Sequence, residues 1–166
     1  VLSDRIGPEV RGRRLFDDRY VAVLSSGHPA ATQPLDADAF GRFGYVGLYR
    51  EEMEEHFVEN AMLQAGIEQA PCAIVANHAA AIALARQSEL IAMVPGIHTR
   101  GLQAGVTVSD LPFEAPPFTI SLLWHPRLEA DPAHRWLRSV VVDTVTGWTR
   151  QRHLGEIQQS PERSSR

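Results

Sequence analysis

The chain contains one cysteine and no lysine among its 166 residues. A single thiol excludes an internal disulfide, and Cys72 lies in the apolar stretch APCAIVA, where we expect a buried, unreactive side chain. All 16 basic residues are arginine, and the net charge is −4. Because a domain that binds DNA by itself usually presents a basic face, this charge indicates that the chain alone does not bind DNA.

Long apolar runs are also absent. No stretch approaches the roughly 18 apolar residues that a membrane-spanning helix needs. The first residues, VLSDRIGPEVRGRRLF, lack the apolar core and cleavage site of a secretory signal, so we expect a cytoplasmic protein. The hydrophobic fraction of 44% and the charged fraction of 22% are typical of a soluble globular domain.

The motifs of common enzymes are missing as well. The chain has no G-x-S-x-G, P-loop, H-E-x-x-H or C-x-x-C sequence. Gly41, Gly44 and Gly47 are spaced G-x-x-G-x-x-G and precede a predicted strand, which differs from a nucleotide-binding loop. Glu52 and His56 lie four residues apart without a third ligand, so a charged outer helix face explains them better than a metal site. We predict no catalytic residue, cofactor or metal, and a protein that is not an enzyme.

Apolar runs alternate with helical patterns over the first two thirds of the chain. This alternation predicts βαβ units and a mainly parallel sheet. Asn77 stands where a helix N-cap belongs. The predicted strands cover residues 20–24, 45–49, 72–76, 90–94 and 106–108, and the predicted helices cover residues 51–65 and 78–86.

The last third predicts one strand and one helix. Apolar and polar residues alternate over 118–124, which indicates a half-buried strand. Asp131 and Pro132 predict a helix start. The first residue of a helix has no partner for its backbone N–H within the helix, so proline, which lacks this N–H, is tolerated there. The helix should bury a stripe made of Trp136, Leu137, Val140, Val141, Val145 and Trp148.

These elements predict an α/β protein of two lobes. Residues 31–110 form a complete, inserted lobe, whereas 1–30 and 111–150 supply only about two strands and one helix of a partial first lobe. Residues 151–166 are polar, and we expect a disordered tail. A lobe inserted between two crossover segments is the plan of a hinged binding protein.

The predicted binding site lies where the strands of this lobe end. In α/β sheets, ligands bind outside the carboxyl ends of the strands. Tyr49 and Arg50 end one predicted strand, Asn77 and His78 end another, and we place Tyr45 in the same site. Arginine offers a fork for a carboxylate, and a helix start favours an anion, so a small organic acid would fit. The alternative is that these residues only cap helices.

Several stretches resemble one known family. SELIAMVP, LPFEAPPF and ISLLWHPRLEADPAHRWLR are similar to the effector (substrate)-binding domain of LysR-type transcription regulators, most of all to the branch with nodulation activators and regulators of aromatic-compound degradation. LFDDRYVAVLSSGHP resembles the crossover strand of that domain, and FGYVGLYR resembles the first strand of its second lobe. The resemblance spans about residues 13–143.

The resemblance implies a periplasmic-binding-protein-like (type 2) fold with a complete second lobe and a partial first lobe. It implies an effector in the cleft between the lobes, with an aromatic acid as one candidate, and a homo-oligomer at full length. The winged helix-turn-helix and linker helix of this family do not occur in this sequence, so we expect an N-terminally truncated chain that meets promoter DNA only through the missing part. Some relatives have a histidine where Tyr45 stands.

Three classes of function stay open at this point. The first is the effector-binding domain of a regulator, which transmits the signal to a DNA-binding domain. The second is a solute-binding protein of a transport system with the same fold. The third is a small α/β enzyme, which the absence of motifs disfavours. If Arg50 binds an acid, Arg50→Ala should weaken binding by about 1.5–3 kcal/mol.

Overall fold

A computed structural model describes residues 9–49, 57–102 and 104–158, with the backbone alone over 149–158. The chain divides into two compact units: one is Asp18–Phe118, and the other combines the residues before Asp18 with those from Thr119 onward. In chain order the elements are β1 (Arg11–Asp18), β2 (Tyr20–Ser25), α1 (Ala37–Phe43), β3 (Tyr45–Leu48), α2 (Phe57–Gln64), β4 (Ala73–Val75), α3 (His78–Arg86), β5 (Ile91–Pro95), a 3₁₀ turn (Gly96–Thr99), β6 (Val106–Ser109), β7 (Phe118–Trp124), a second 3₁₀ turn (Pro126–Leu128) and α4 (Pro132–Gln158).

The larger unit contains a five-stranded sheet in the order β4-β3-β5-β2-β6. β3 runs parallel to β4 and β5, whereas β2 runs antiparallel to β5 and β6. The sheet is therefore mixed: four of its five strands run in one direction, as in the predicted mainly parallel sheet, and β2 is reversed, which the prediction missed. An apolar run that is buried on both faces has the same sequence pattern in either direction, so the pattern could not reveal how β2 runs.

β2 also corrects the predicted lobe boundary. We assigned residues 20–24 to the partial first lobe, but this strand lies inside the sheet of the larger unit, with Tyr20 opposite Pro95 and Ser25 opposite Val106. All four residues from Val21 to Leu24 are buried. A strand that is apolar at every position must be covered on both faces, and the helices of the larger unit cover both faces of its sheet.

Two hydrophobic clusters cover the two faces of the sheet. On one face α3 packs through Ala81, Ile82 and Ala85 against residues of β2, β3 and β5. The cluster on the other face combines strand residues with residues of α1, α2 and the connector after β6: Ala22, Leu24, Leu35, Ala39, Phe40, Tyr45, Val58, Met62, Ile67, Ile91 and Met93, with Leu111, Phe113 and Ala115 packed against it. The larger unit thus has a layer of helices on each side, as the alternating pattern predicts.

Local signals fix the helix starts. The Asp36 carboxylate accepts a hydrogen bond from Ala39 N at 2.8 Å, and the Asn77 carboxamide accepts one from Ala80 N at 2.9 Å, which confirms the predicted cap of α3. The predicted burial of Cys72 is wrong, because this side chain is exposed. Cys72 precedes the edge strand β4, and a Cβ on Gly44 (φ +76°) would collide with its sulfur.

The smaller unit pairs β1 with β7 and carries α4. Asp131 accepts a hydrogen bond from His134 N at 2.7 Å, which confirms the predicted helix start. The predicted buried stripe is wrong for most of its members. Val145 is buried, but four others are exposed: Trp136, Leu137, Val140 and Trp148. The two strands of the smaller unit offer too little surface to cover all the apolar side chains of α4.

α4 continues to Gln158, so the predicted disordered tail is wrong for residues 151–158, while 159–166 lie outside the described residues. The 27 residues of this helix mix apolar and charged side chains. Within the described ranges, no helix is both long and apolar enough to cross a membrane.

Candidate functional site

The carboxyl ends of β3, β4 and β5 meet at one edge of the larger unit's sheet. Tyr49 directly follows β3, donates its backbone N–H to Val75 O at 2.8 Å, and has an exposed side chain (71%). Asn77 and His78 follow β4 and begin α3. The structure therefore brings Tyr49, Asn77 and His78 to the same edge, where ligands of α/β sheets bind.

Asn77 has a structural role at this edge. Its carboxamide oxygen caps α3 through Ala80 N, so the alternative that this residue caps a helix is confirmed. A cap does not exclude a contact with a ligand, because the carboxamide nitrogen can still donate hydrogen bonds. The first turn of α3 also presents backbone N–H groups and the positive end of the helix dipole.

His98 joins His78 at the sheet edge. Its ring stacks on the His78 ring with 4.7 Å between the centroids and 24° between the planes. His98 belongs to the 3₁₀ turn Gly96–Thr99 directly after β5, and its side chain is exposed. Sequence reasoning missed this residue, although the Pro95-Gly96 stop placed it just beyond a predicted strand.

Asp18 holds this turn in place. Its carboxylate is buried and accepts hydrogen bonds from the backbone N–H groups of Arg19 and Ile97, each at 2.9 Å. The turn sits so close to Asp18 that a Cβ on Gly96 would lie 2.9 Å from the carboxylate oxygen. A carboxylate whose two oxygens each accept a backbone N–H is a strong anchor, so the edge that carries His98 is preorganised.

Tyr45 lies elsewhere. It begins β3, is 3% exposed, and donates its hydroxyl hydrogen to Gln69 O at 3.2 Å. Burial, reinforced by Glu59 and Cys72, raises the pKa of its hydroxyl above the ordinary value of 10.0. Our placement of Tyr45 at a strand carboxyl end is therefore wrong, because it occupies the amino end. Arg50 lies outside the described residues.

The edge combines aromatic, carboxamide and imidazole groups. Such groups orient a small polar ligand through hydrogen bonds and ring contacts. Within the described part of the chain, no three His, Cys, Asp or Glu residues are grouped so that they could hold a metal ion.

Comparison with known families identifies the domain. The LysR substrate binding domain family matches residues 2–146. The chain belongs to this family. Among curated relatives, the transcriptional regulator SyrM 1 of Sinorhizobium fredii is 29% identical over 81% of the chain, and the transcriptional activator NagR of a Ralstonia species is 30% identical over 79%. The chain spans 40% of the length of SyrM 1 and 44% of that of NagR.

Two solved structures have the same fold as this chain. A transcriptional regulator from Vibrio parahaemolyticus superposes with a TM-score of 0.69 at 26% identity, covering 85% of this chain and 66% of the other. The effector-binding domain of QuiR, solved in complex with shikimate, gives a TM-score of 0.65 at 15% identity over 85% of this chain and 68% of the other. These matches confirm the predicted two-lobed effector-domain fold. The curated relatives are transcriptional regulators, which favours an effector-binding domain over a solute-binding protein of a transport system or a small α/β enzyme.

Proposed function

We propose that this domain binds a small organic acid at the sheet edge formed by Tyr49, Asn77, His78 and His98. The observation that supports this most is the His78–His98 stack beside the first turn of α3, because imidazole N–H groups and helix N-terminal N–H groups both favour an anion. Arg50 follows Tyr49 in the sequence and is included on that ground alone. Tyr45 is left out of the site because it is buried at the opposite end of β3.

The family gives this binding a regulatory meaning. SyrM 1 and NagR are transcriptional regulators, and their lengths exceed the part matched here. We infer that acid binding at this edge is transmitted to a DNA-binding part of a longer protein, which acts in the cytoplasm as a homo-oligomer. The QuiR domain binds shikimate, a carboxylic acid, which supports an acid as the ligand class for the present domain. Aromatic acids are the first candidates to test, and no cofactor or catalytic role is proposed.

Calorimetric titration of the chain with benzoate, salicylate and shikimate tests the site. His98→Ala should weaken the binding of the preferred acid by at least about tenfold, since one hydrogen bond to a charged group is lost. His125→Ala is the matched control, because His125 is an exposed histidine of the smaller unit. Arg50→Ala should weaken binding more than His98→Ala.

Two outcomes would overturn the proposal. One is equal affinity of the His98→Ala and His125→Ala variants for every acid that binds. The other is binding of the uncharged methyl esters as tightly as the acids, because the site is built from groups that recognise the charge.

A further inference from the structure

A groove of about 710 Å³ opens on the face of the sheet that carries α1 and α2. This face is opposite to the one on which α3 packs, and the groove shares no lining residue with the acid site. One wall is α2 and the other is the connector that follows β6. The volume lies within the ~300–1,000 Å³ range of small-molecule sites. The residues that define it are Tyr20, Phe57, Asn60, Gln64, Phe113 and Glu114.

Three aromatic residues line the groove. Tyr20, Phe57 and Phe113 are all half-buried, so their rings still face accessible space. Phe113 lies 6.0 Å from Phe40 and Tyr20 lies 5.4 Å from Phe118, measured between ring centroids. These neighbours hold the rings of Tyr20 and Phe113, so this part of the lining is preformed. Aromatic faces attract both apolar groups and organic cations.

The charges of the groove add up to an excess of negative charge. Arg19 forms an ion pair with Asp110 at 2.8 Å, so these two charges offset each other. Glu114 has neither an ion pair nor a hydrogen bond among the described residues, and its side chain is exposed. Asn60 and Gln64 of α2 are uncharged, so Glu114 supplies the excess negative charge of the groove.

We propose that this groove binds an organic cation with an aromatic body, such as an arylalkylamine. Its ring would pack on the aromatic lining, and its ammonium group would be attracted by Glu114. Asn60 and Gln64 add carboxamide oxygens that accept hydrogen bonds from an ammonium. The preference for a cation is opposite to that of the acid site, and the proposal does not depend on acid binding.

Titration of the chain with 2-phenylethylamine, followed by chemical shifts or calorimetry, tests the groove. A ligand of this size should bind with a dissociation constant of about 1 mM. 3-Phenylpropanoate, which has a similar body and the opposite charge, should bind at least about fivefold more weakly at the groove. Added salt should weaken amine binding, because the attraction is partly exposed to solvent.

Two exposed glutamates provide a matched pair of variants. Glu114→Gln should weaken amine binding roughly threefold to fivefold, whereas Glu68→Gln makes the same charge change outside the groove and should leave it unchanged. Gln64→Lys should also weaken amine binding, because it adds a positive charge to the groove. A lysine at a helix C-terminus is compatible with folding. A peptide with one lysine beside a phenylalanine distinguishes a protein side chain from a free amine: tighter binding of the peptide than of the amine would overturn a free amine as the ligand.

The charge preference decides the remaining outcomes. Three results would each overturn the cation site. The first is equal affinity for the amine and the acid, and the second is an equal effect of Glu114→Gln and Glu68→Gln on amine binding. The third is no binding at an amine concentration 10 times the expected dissociation constant. His98→Ala should leave amine binding unchanged, and Glu114→Gln should leave acid binding unchanged. Loss of one type of binding without the other therefore shows which of the two proposals has failed.

Discussion

The two units of this chain use similar sequence patterns with opposite results. In the larger unit the apolar run of β2 is buried completely, because strands flank it and helices cover both faces of the sheet. In the smaller unit the apolar stripe of α4 leaves Trp136 67% exposed. An apolar pattern thus states which side chains favour burial, but the number of packed partners decides whether burial occurs.

The largest expected effect tests this contrast directly. Phe40→Ala should lower the free energy of unfolding by about 3–5 kcal/mol, because Phe40 is fully buried and its loss leaves a cavity. Trp136→Ala, although it removes a larger ring, should change it by no more than about 0.5 kcal/mol. Urea unfolding monitored by circular dichroism measures both. A cost for Trp136→Ala close to that of Phe40→Ala would mean that the face of α4 is covered in solution.

A second pair of variants compares a buried and an exposed carboxylate that are neighbours in the chain, Asp18 and Asp17, by their effect on the free energy of unfolding. Asp18→Ala should cost about 2–3 kcal/mol, because it removes a buried carboxylate and leaves the part-buried N–H groups of Arg19 and Ile97 without their acceptor. Asp17 forms an exposed ion pair with Arg14 and accepts from Thr119, so Asp17→Ala should cost at most about 1 kcal/mol. The same unfolding experiment applies. Equal costs for the two variants would contradict the anchoring role of Asp18.

The smallest expected effect concerns alkaline pH. The hydroxyl of Tyr45 keeps its proton in the folded state at pH values where an unfolded tyrosine loses it, because burial raises its pKa. The unfolded state therefore binds fewer protons above pH ~10, and the free energy of unfolding should fall as pH rises from there. The free energy of unfolding of the Tyr45→Phe variant should fall less steeply with pH, and unfolding curves between pH 8 and pH 11 can measure this difference. Identical slopes would show that Tyr45 ionises equally in both states.

The proposed acid site shows which features local sequence patterns can predict. The Asn77 cap, the start of α3 and the position of Tyr49 after β3 follow from residues that are neighbours in the chain, and all three are confirmed. The prediction for Tyr45 was wrong because it placed residues from both ends of the same strand, Tyr45 and Tyr49, in one binding site. A strand of four residues has two ends at opposite edges of the sheet, so only its last residue reaches the carboxyl edge.

The sequence by itself determined most elements of this protein, although not β1 and α1, together with the caps of α3 and α4 and the family. Those features depend on spacings of a few residues, on cap chemistry, and on stretches such as the one ending in RWLR. Only the tertiary structure decided the direction and partners of β2, the stacking of His98 on His78, and the bond from Asp18 to Ile97, 79 residues away in the chain. Contacts at such separations depend on how strands pair and which faces are covered, and a pattern of neighbouring residues does not contain that information.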